Sequence, residues 1–122
     1  MAVARYIVDD VDAALAFYTE VFGFELVQRW GPPFASIGKG DQQVWLSGPG
    51  TSARKAMPDG GEPVPGGWNR IVVEVDDIEA VVAQLRGRGA TFRNEPLPGP
   101  GGTQVLIEDP SGNPIEVFQP AS

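Results

Sequence analysis

The sequence predicts an α+β fold built from two βαβββ modules, and three observations predict it. Val8-Asp9-Asp10-Val11-Asp12-Ala13 is echoed by Val75-Asp76-Asp77-Ile78-Glu79-Ala80, an offset of 77 − 10 = 67 residues. Self-similarity at a fixed spacing is the mark of a duplicated unit. In each copy an apolar run leads through an aspartate into a stretch of helical period, and that stretch stops at a glycine, Gly23 or Gly89. In each copy short strand-like runs then complete the unit.

Taken in order, Val3 to Val8 is β-branched enough for a strand. Asp10 can cap a helix by accepting a hydrogen bond from an unpaired N–H, and Asp12 suits the positive end of the helix dipole. Val11, Ala14, Leu15, Tyr18, Val21 and Phe22 recur at helical period and give that helix one buried face. Phe24 to Trp30 reads as a strand with Phe24, Leu26 and Gln28 on one face, ended by Gly31-Pro32-Pro33. Phe34 to Ile37 and Gln43 to Leu46 are short strands joined at Gly38-Lys39-Gly40-Asp41. Residues 1–47 therefore form the first module. Residues 48–67 hold six Gly and four Pro and form a linker, either a plain connector or a segment that closes over a site.

Residues 68–122 repeat the plan as the second module. Asn69 to Val75 is a strand, and Asp77 caps a helix with Ile78, Val81, Val82 and Leu85 inward and Arg86 and Arg88 in its last turn. Thr91 to Arg93 begins a strand, and Pro96 to Gly102 reads as a Pro/Gly-rich loop. Thr103 to Glu108 and Ile115 to Gln119 make a hairpin whose connection, Asp109-Pro110-Ser111-Gly112, has the residues a type I turn prefers.

Composition bounds the function. At 122 residues the chain is expected to be one domain, and each half would be marginal alone, so the halves should fold together or pair across a dimer. A net charge of −7 argues against nucleic acid and anionic membrane as partners. The absence of cysteine removes disulfides, thiolate nucleophiles and Cys-ligated metals. The absence of histidine removes the Ser-His-Asp triad and any His-based metal site. Without a signal-peptide pattern or a membrane-length apolar run, a cytoplasmic location is the expectation. Gly48-Pro49-Gly50 and Gly99-Pro100-Gly101-Gly102 do not sit between a strand and a helix, as a phosphate loop must.

Phe17-Tyr18 with Val21-Phe22-Gly23-Phe24, and the ending Asp109-Pro110-Ser111-Gly112-Asn113-Pro114-Ile115-Glu116-Val117, resemble the glyoxalase/bleomycin-resistance/dioxygenase (vicinal oxygen chelate) superfamily. The resemblance covers essentially the whole chain. It implies curved sheets with the helices on their outer faces, dimers, and sites inside the paired sheets or at the dimer interface. In the family's enzymes four inward side chains, typically His or Gln and Glu, bind a divalent metal. Carried over, those positions are Val3, Trp45, Arg70 and Glu116. A single carboxylate among four does not make a Zn, Ni or Fe site, so no metal and no other cofactor is expected.

Strand alternation sorts the inward side chains without that comparison. Ile71, Val73 and Val75 pack under the second helix, leaving Arg70, Val72 and Glu74 toward the concave side. Arg5 lies inward on the first strand, Gln43 and Trp45 join it, and Glu116 and Phe118 are inward on the last strand. Trp30, Phe34, Trp45 and Trp68 stand at strand ends or beside Gly/Pro breaks, where aromatics stack on a flat ligand or pack an interface. Arg70 either grips a ligand acid or forms a structural ion pair with Glu116. The candidate ligand residues are Arg5, Trp30, Phe34, Trp45, Trp68, Arg70, Glu116 and Phe118, with Trp45 and Glu116 expected to converge. These point to a metal-independent, homodimeric binder of a small aromatic or cationic compound such as an antibiotic. The alternative is an enzyme of the same superfamily (lyase, isomerase or dioxygenase). It would act through Glu116 or Glu74 in a desolvated pocket or through a carboxylate-held cation.

Overall fold

The computed structural model describes residues 2–122. Strands β1 (Val3–Ile7), β2 (Glu25–Arg29), β3 (Phe34–Lys39) and β4 (Gln42–Ser47) form one sheet in the order β1-β4-β3-β2. Strands β5 (Ile71–Glu74), β6 (Leu97–Gly99), β7 (Gly102–Glu108) and β8 (Pro114–Pro120) form a second sheet in the order β5-β8-β7-β6. In each sheet the first strand runs parallel to the last, across the crossover helix, and the other pairs are antiparallel. The duplication extends to register: Arg5 pairs with Trp45 and Val72 with Glu116, and 72 − 5 repeats the 67-residue offset.

Helix α1 (Val11–Phe22) begins where the Asp10 carboxylate accepts the Ala13 N–H at 3.1 Å, and it ends at Gly23 with φ 74°. Helix α2 (Ile78–Gly87) uses Asp77 in the same way on Ala80. Gly89 follows at φ 74°, a left-handed conformation that costs a glycine little. Phe17 is buried on α1 beside the expected Val11, Ala14, Tyr18 and Phe22, whereas Leu15 and Val21 are only half-buried. Alternation holds on β1 and β5: Tyr6, Val8, Ile71 and Val73 are buried, and Arg5, Val72 and Glu74 are exposed.

Three local expectations are corrected. Thr91 to Arg93 makes only an isolated bridge, Phe92 to Ile107, because the Asn94 side chain takes the Leu106 N–H at 2.9 Å and ends the ladder. The Pro96–Gly102 loop contains the short edge strand β6, which tolerates Pro98 because an edge does not need every N–H. Phe24, just ahead of β2, enters the core while Leu26 on the strand is exposed, and the register of β2 then shifts between Leu26 and Gln28. Such a bulge re-aims the side chains that follow it.

The closing hairpin fastens the two modules together. The Tyr6 hydroxyl accepts the Ile71 N–H at 2.7 Å and donates to the Pro114 carbonyl at 2.9 Å. Tyr18 donates to Asp109 at 2.8 Å, and the Asn113 amide donates to the Ile7 carbonyl at 2.7 Å. Residues 48–67 run across this seam with one 3₁₀ turn, Ser52–Arg54. Arg54 holds their start on the Val8 carbonyl, and the Asn113 side chain accepts the Gly66 N–H near their end. No helix among the described residues is long and apolar enough to cross a membrane.

Candidate functional site

The open face of the first sheet carries an aromatic trough of about 610 Å³. Its central cross-strand row reads Arg5, Trp45, Ser36, Gln28. Side chains on one face of neighbouring strands meet directly, so Ser36 leaves a gap between larger neighbours. Phe34 sits one row away, opposite Ser47, and its ring meets Trp45 edge-on with centroids 6.1 Å apart. Trp30 meets Phe34 at 6.5 Å and closes the far wall. Trp30 is 65% exposed and Trp45 36%, so both keep ring surface available. The β2 bulge lets Val27 as well as Gln28 reach the trough, and Thr51 and Ser52 of the crossing segment form its rim.

The Arg5 guanidinium lies 5.0 Å from the Trp45 ring centroid, in cation–π range, and Nη1 donates to Ser47 Oγ at 3.2 Å. Arg5 also lines a second cavity of about 340 Å³ at the seam between the modules, together with Asn69, Arg70 and Asn113.

The remaining candidates lie on the second sheet. Arg70 sends Nε and Nη2 to Glu116 Oε1 at 3.2 and 2.9 Å, and Nη1 to the Trp68 carbonyl at 3.3 Å. The Glu116 side chain is 13% exposed and that of Arg70 30%, so each is largely occupied by the other. Trp68 lies under Arg93, whose guanidinium is 4.7 Å from its ring. Phe118 is half-buried on the face of Glu116, paired with the exposed Glu74. The structure thus divides the single candidate set: Arg5, Trp30, Phe34 and Trp45 stand at the trough, and Trp68, Arg70, Glu116 and Phe118 belong to the second module. Glu116 does not line the trough that Trp45 builds. Ser36, Val27 and the Thr51–Ser52 rim were missed. Strand register would have found Ser36, but bulge and rim have no local sequence signal.

The donor set does not fit a transition metal. Of the four positions carried over from the family, Val3 and Trp45 offer no donor, and Arg70 places a cation on the one carboxylate, Glu116. No group of three or more Asp or Glu side chains among the described residues could hold an ion.

The duplicated sheets, their register and the position of the open face define a vicinal oxygen chelate protein. The model for the Glyoxalase/Bleomycin resistance protein/Dioxygenase superfamily matches residues 1–117, and the chain belongs to that family. It is 28% identical to a probable lactoylglutathione lyase of Synechocystis over 94% of this chain and 91% of that one. It is also 28% identical to lactoylglutathione lyase GLX1 of Arabidopsis thaliana over 93% of this chain, but spans only 42% of that protein's length. The crystal structure of TnmS3, an antibiotic binding protein from Streptomyces, superposes with TM-score 0.69 at 27% identity, covering 99% of this chain and 97% of that one.

Proposed function

We propose that this protein binds a small aromatic molecule in the trough of the first sheet, without a metal ion, and sequesters it in the manner of an antibiotic-binding protein. The observation that carries this reading is the run Trp30–Phe34–Trp45, three rings in edge-to-face contact with surface left open beside a small residue, Ser36. A concave site of this volume, walled by aromatic rings with polar side chains between them and at the rim, suits a drug-sized ligand. Between the expected aromatic and cationic ligands, the trough favours the aromatic one, because a cation would meet Arg5. The reading includes a homodimer, in which a second copy would cover apolar groups exposed on the two open faces, Val27 on one and Val72 and Leu97 on the other.

The names of two relatives favour a lyase as the second reading. It would need Glu116 or Glu74 as acid or base, yet Glu116 is held by Arg70 and Glu74 is solvent-exposed. Calorimetric titration of chelator-treated protein with a panel of aromatic antibiotics tests the proposal. Saturable binding is the expected result, and silence across the panel removes the reading. Stoichiometric Ni, Zn or Fe in the purified protein would favour the lyase.

A further inference from the structure

We infer that the trough's ligand carries an acidic group and that Arg5 reads it. The inference rests on the aromatic-trough reading and adds the ligand's charge to it.

The chain has sixteen acidic residues and nine basic ones, so a guanidinium without a carboxylate is the unexpected case. Of its seven arginines, Arg29, Arg54, Arg70, Arg86, Arg88 and Arg93 each have a carboxylate partner. Among the described residues only Arg5 has none. Its one protein acceptor is the neutral Ser47 hydroxyl, which leaves the rest of its five N–H donors unused by the protein.

The surroundings point the same way. Among the described residues no aspartate or glutamate lines the trough, and none lines the seam cavity that Arg5 also borders. That second cavity adds the Asn69 amide and a second guanidinium, Arg70. An acidic group in reach of Arg5 would therefore meet the Asn69 amide and, among the described residues, the one guanidinium that no carboxylate neutralises, since Arg70 is already paired with Glu116. Trp45 keeps Arg5 in place by stacking on it, and a flat ring laid against Trp45 and Phe34 would carry its substituent to that guanidinium. A carboxylate, sulfonate, phosphate or phenolate suits the planar fork, and the charge-assisted bond is stronger than a neutral one. The net charge of −7 slows the approach of an anion at long range but does not change the contacts at the trough.

The test compares three probes of one shape on the chelator-treated full chain: 2-naphthoate, 2-naphthamide and 2-naphthylmethylammonium, followed by tryptophan fluorescence and calorimetry. The expected result is naphthoate binding about tenfold or more tighter than the amide, with the ammonium weakest. Raising the salt concentration should shrink that preference. Arg5→Met should bring acid and amide together by weakening the acid far more than the amide, and Arg5→Lys should restore part of the difference. Because the wild-type comparison needs no variant, a misfolded Arg5→Met leaves the test intact. Equal binding of acid and amide, or preference for the ammonium, overturns the acid inference and leaves the aromatic trough standing. No binding of any probe, together with silence across the antibiotic panel, overturns both.

Discussion

Tyr6 does more for this fold than its place on a short strand suggests. Its hydroxyl serves a buried N–H on one side and a carbonyl on the other, in the second module each time. Tyr6→Phe leaves the Ile71 N–H without its partner, and an orphaned buried donor costs roughly 1–3 kcal/mol. Denaturant unfolding should show that loss, and an unchanged midpoint would mean the contact is idle. The same residue sets an alkaline limit. Burial pushes its phenol up from an ordinary value near 10 to about 12, and burial and the neighbouring Asp109 carboxylate push Tyr18 well above 10. A folded state that holds a proton more tightly than the unfolded chain loses stability as pH rises between the two values. For Tyr6 that window runs from pH 10 to about pH 12, and below it the group contributes no slope. Wild-type stability should therefore fall across the window, and it should fall less steeply in Tyr6→Phe; parallel slopes would contradict the assignment. Of the site residues, the pairing of Arg70 with Glu116 was legible because repeat offset and strand alternation fix which side chains share a face. Arg5's lack of a carboxylate was not legible. It depends on how far long side chains such as Arg93 and Glu108 reach across the fold.

At the scale of elements, the helices and their caps were readable because the information is local. A cap, a 3.6-residue period and a glycine stop lie within about a dozen residues of one another. The edge strand β6 was not readable, because its pairing with β7 overrides a Pro/Gly-rich composition. Gly102 shows why glycine is needed there. At φ 149° a Cβ on this residue would collide with the Gln119 carbonyl oxygen and crowd the Phe118 ring. Gly102→Ala should cost about 2 kcal/mol or more through backbone strain and overpacking at the β7–β8 edge. Amide exchange in β6 to β8 should rise ahead of exchange elsewhere, and a variant with native midpoint and native protection would refute this. The β2 bulge matters in a different way. By shifting register after Leu26 it turns both Val27 and Gln28 to the trough, and a strict alternation rule cannot foresee that.

For the whole molecule, duplication built two equivalent open faces and the side chains then diverged. At matched register positions the first sheet carries Trp45 beside Arg5, and the second carries Glu116 beside Val72 with Arg70 on the carboxylate. The architecture was legible from an offset of 67 residues, whereas the division of the candidate residues between two sheets required the coordinates. The three tryptophans sit on this divide, with Trp30 and Trp45 at the trough and Trp68 under Arg93 on the other sheet. Their indole N–H signals in a ¹⁵N spectrum therefore report the binding site directly. When 2-naphthoate is titrated into chelator-treated protein, the Trp30 and Trp45 signals should move together and saturate while Trp68 stays nearly still. Movement of Trp68 with Trp30 and Trp45 unchanged, or shifts that appear only after a divalent metal is added back, would contradict a metal-independent aromatic site on the first sheet.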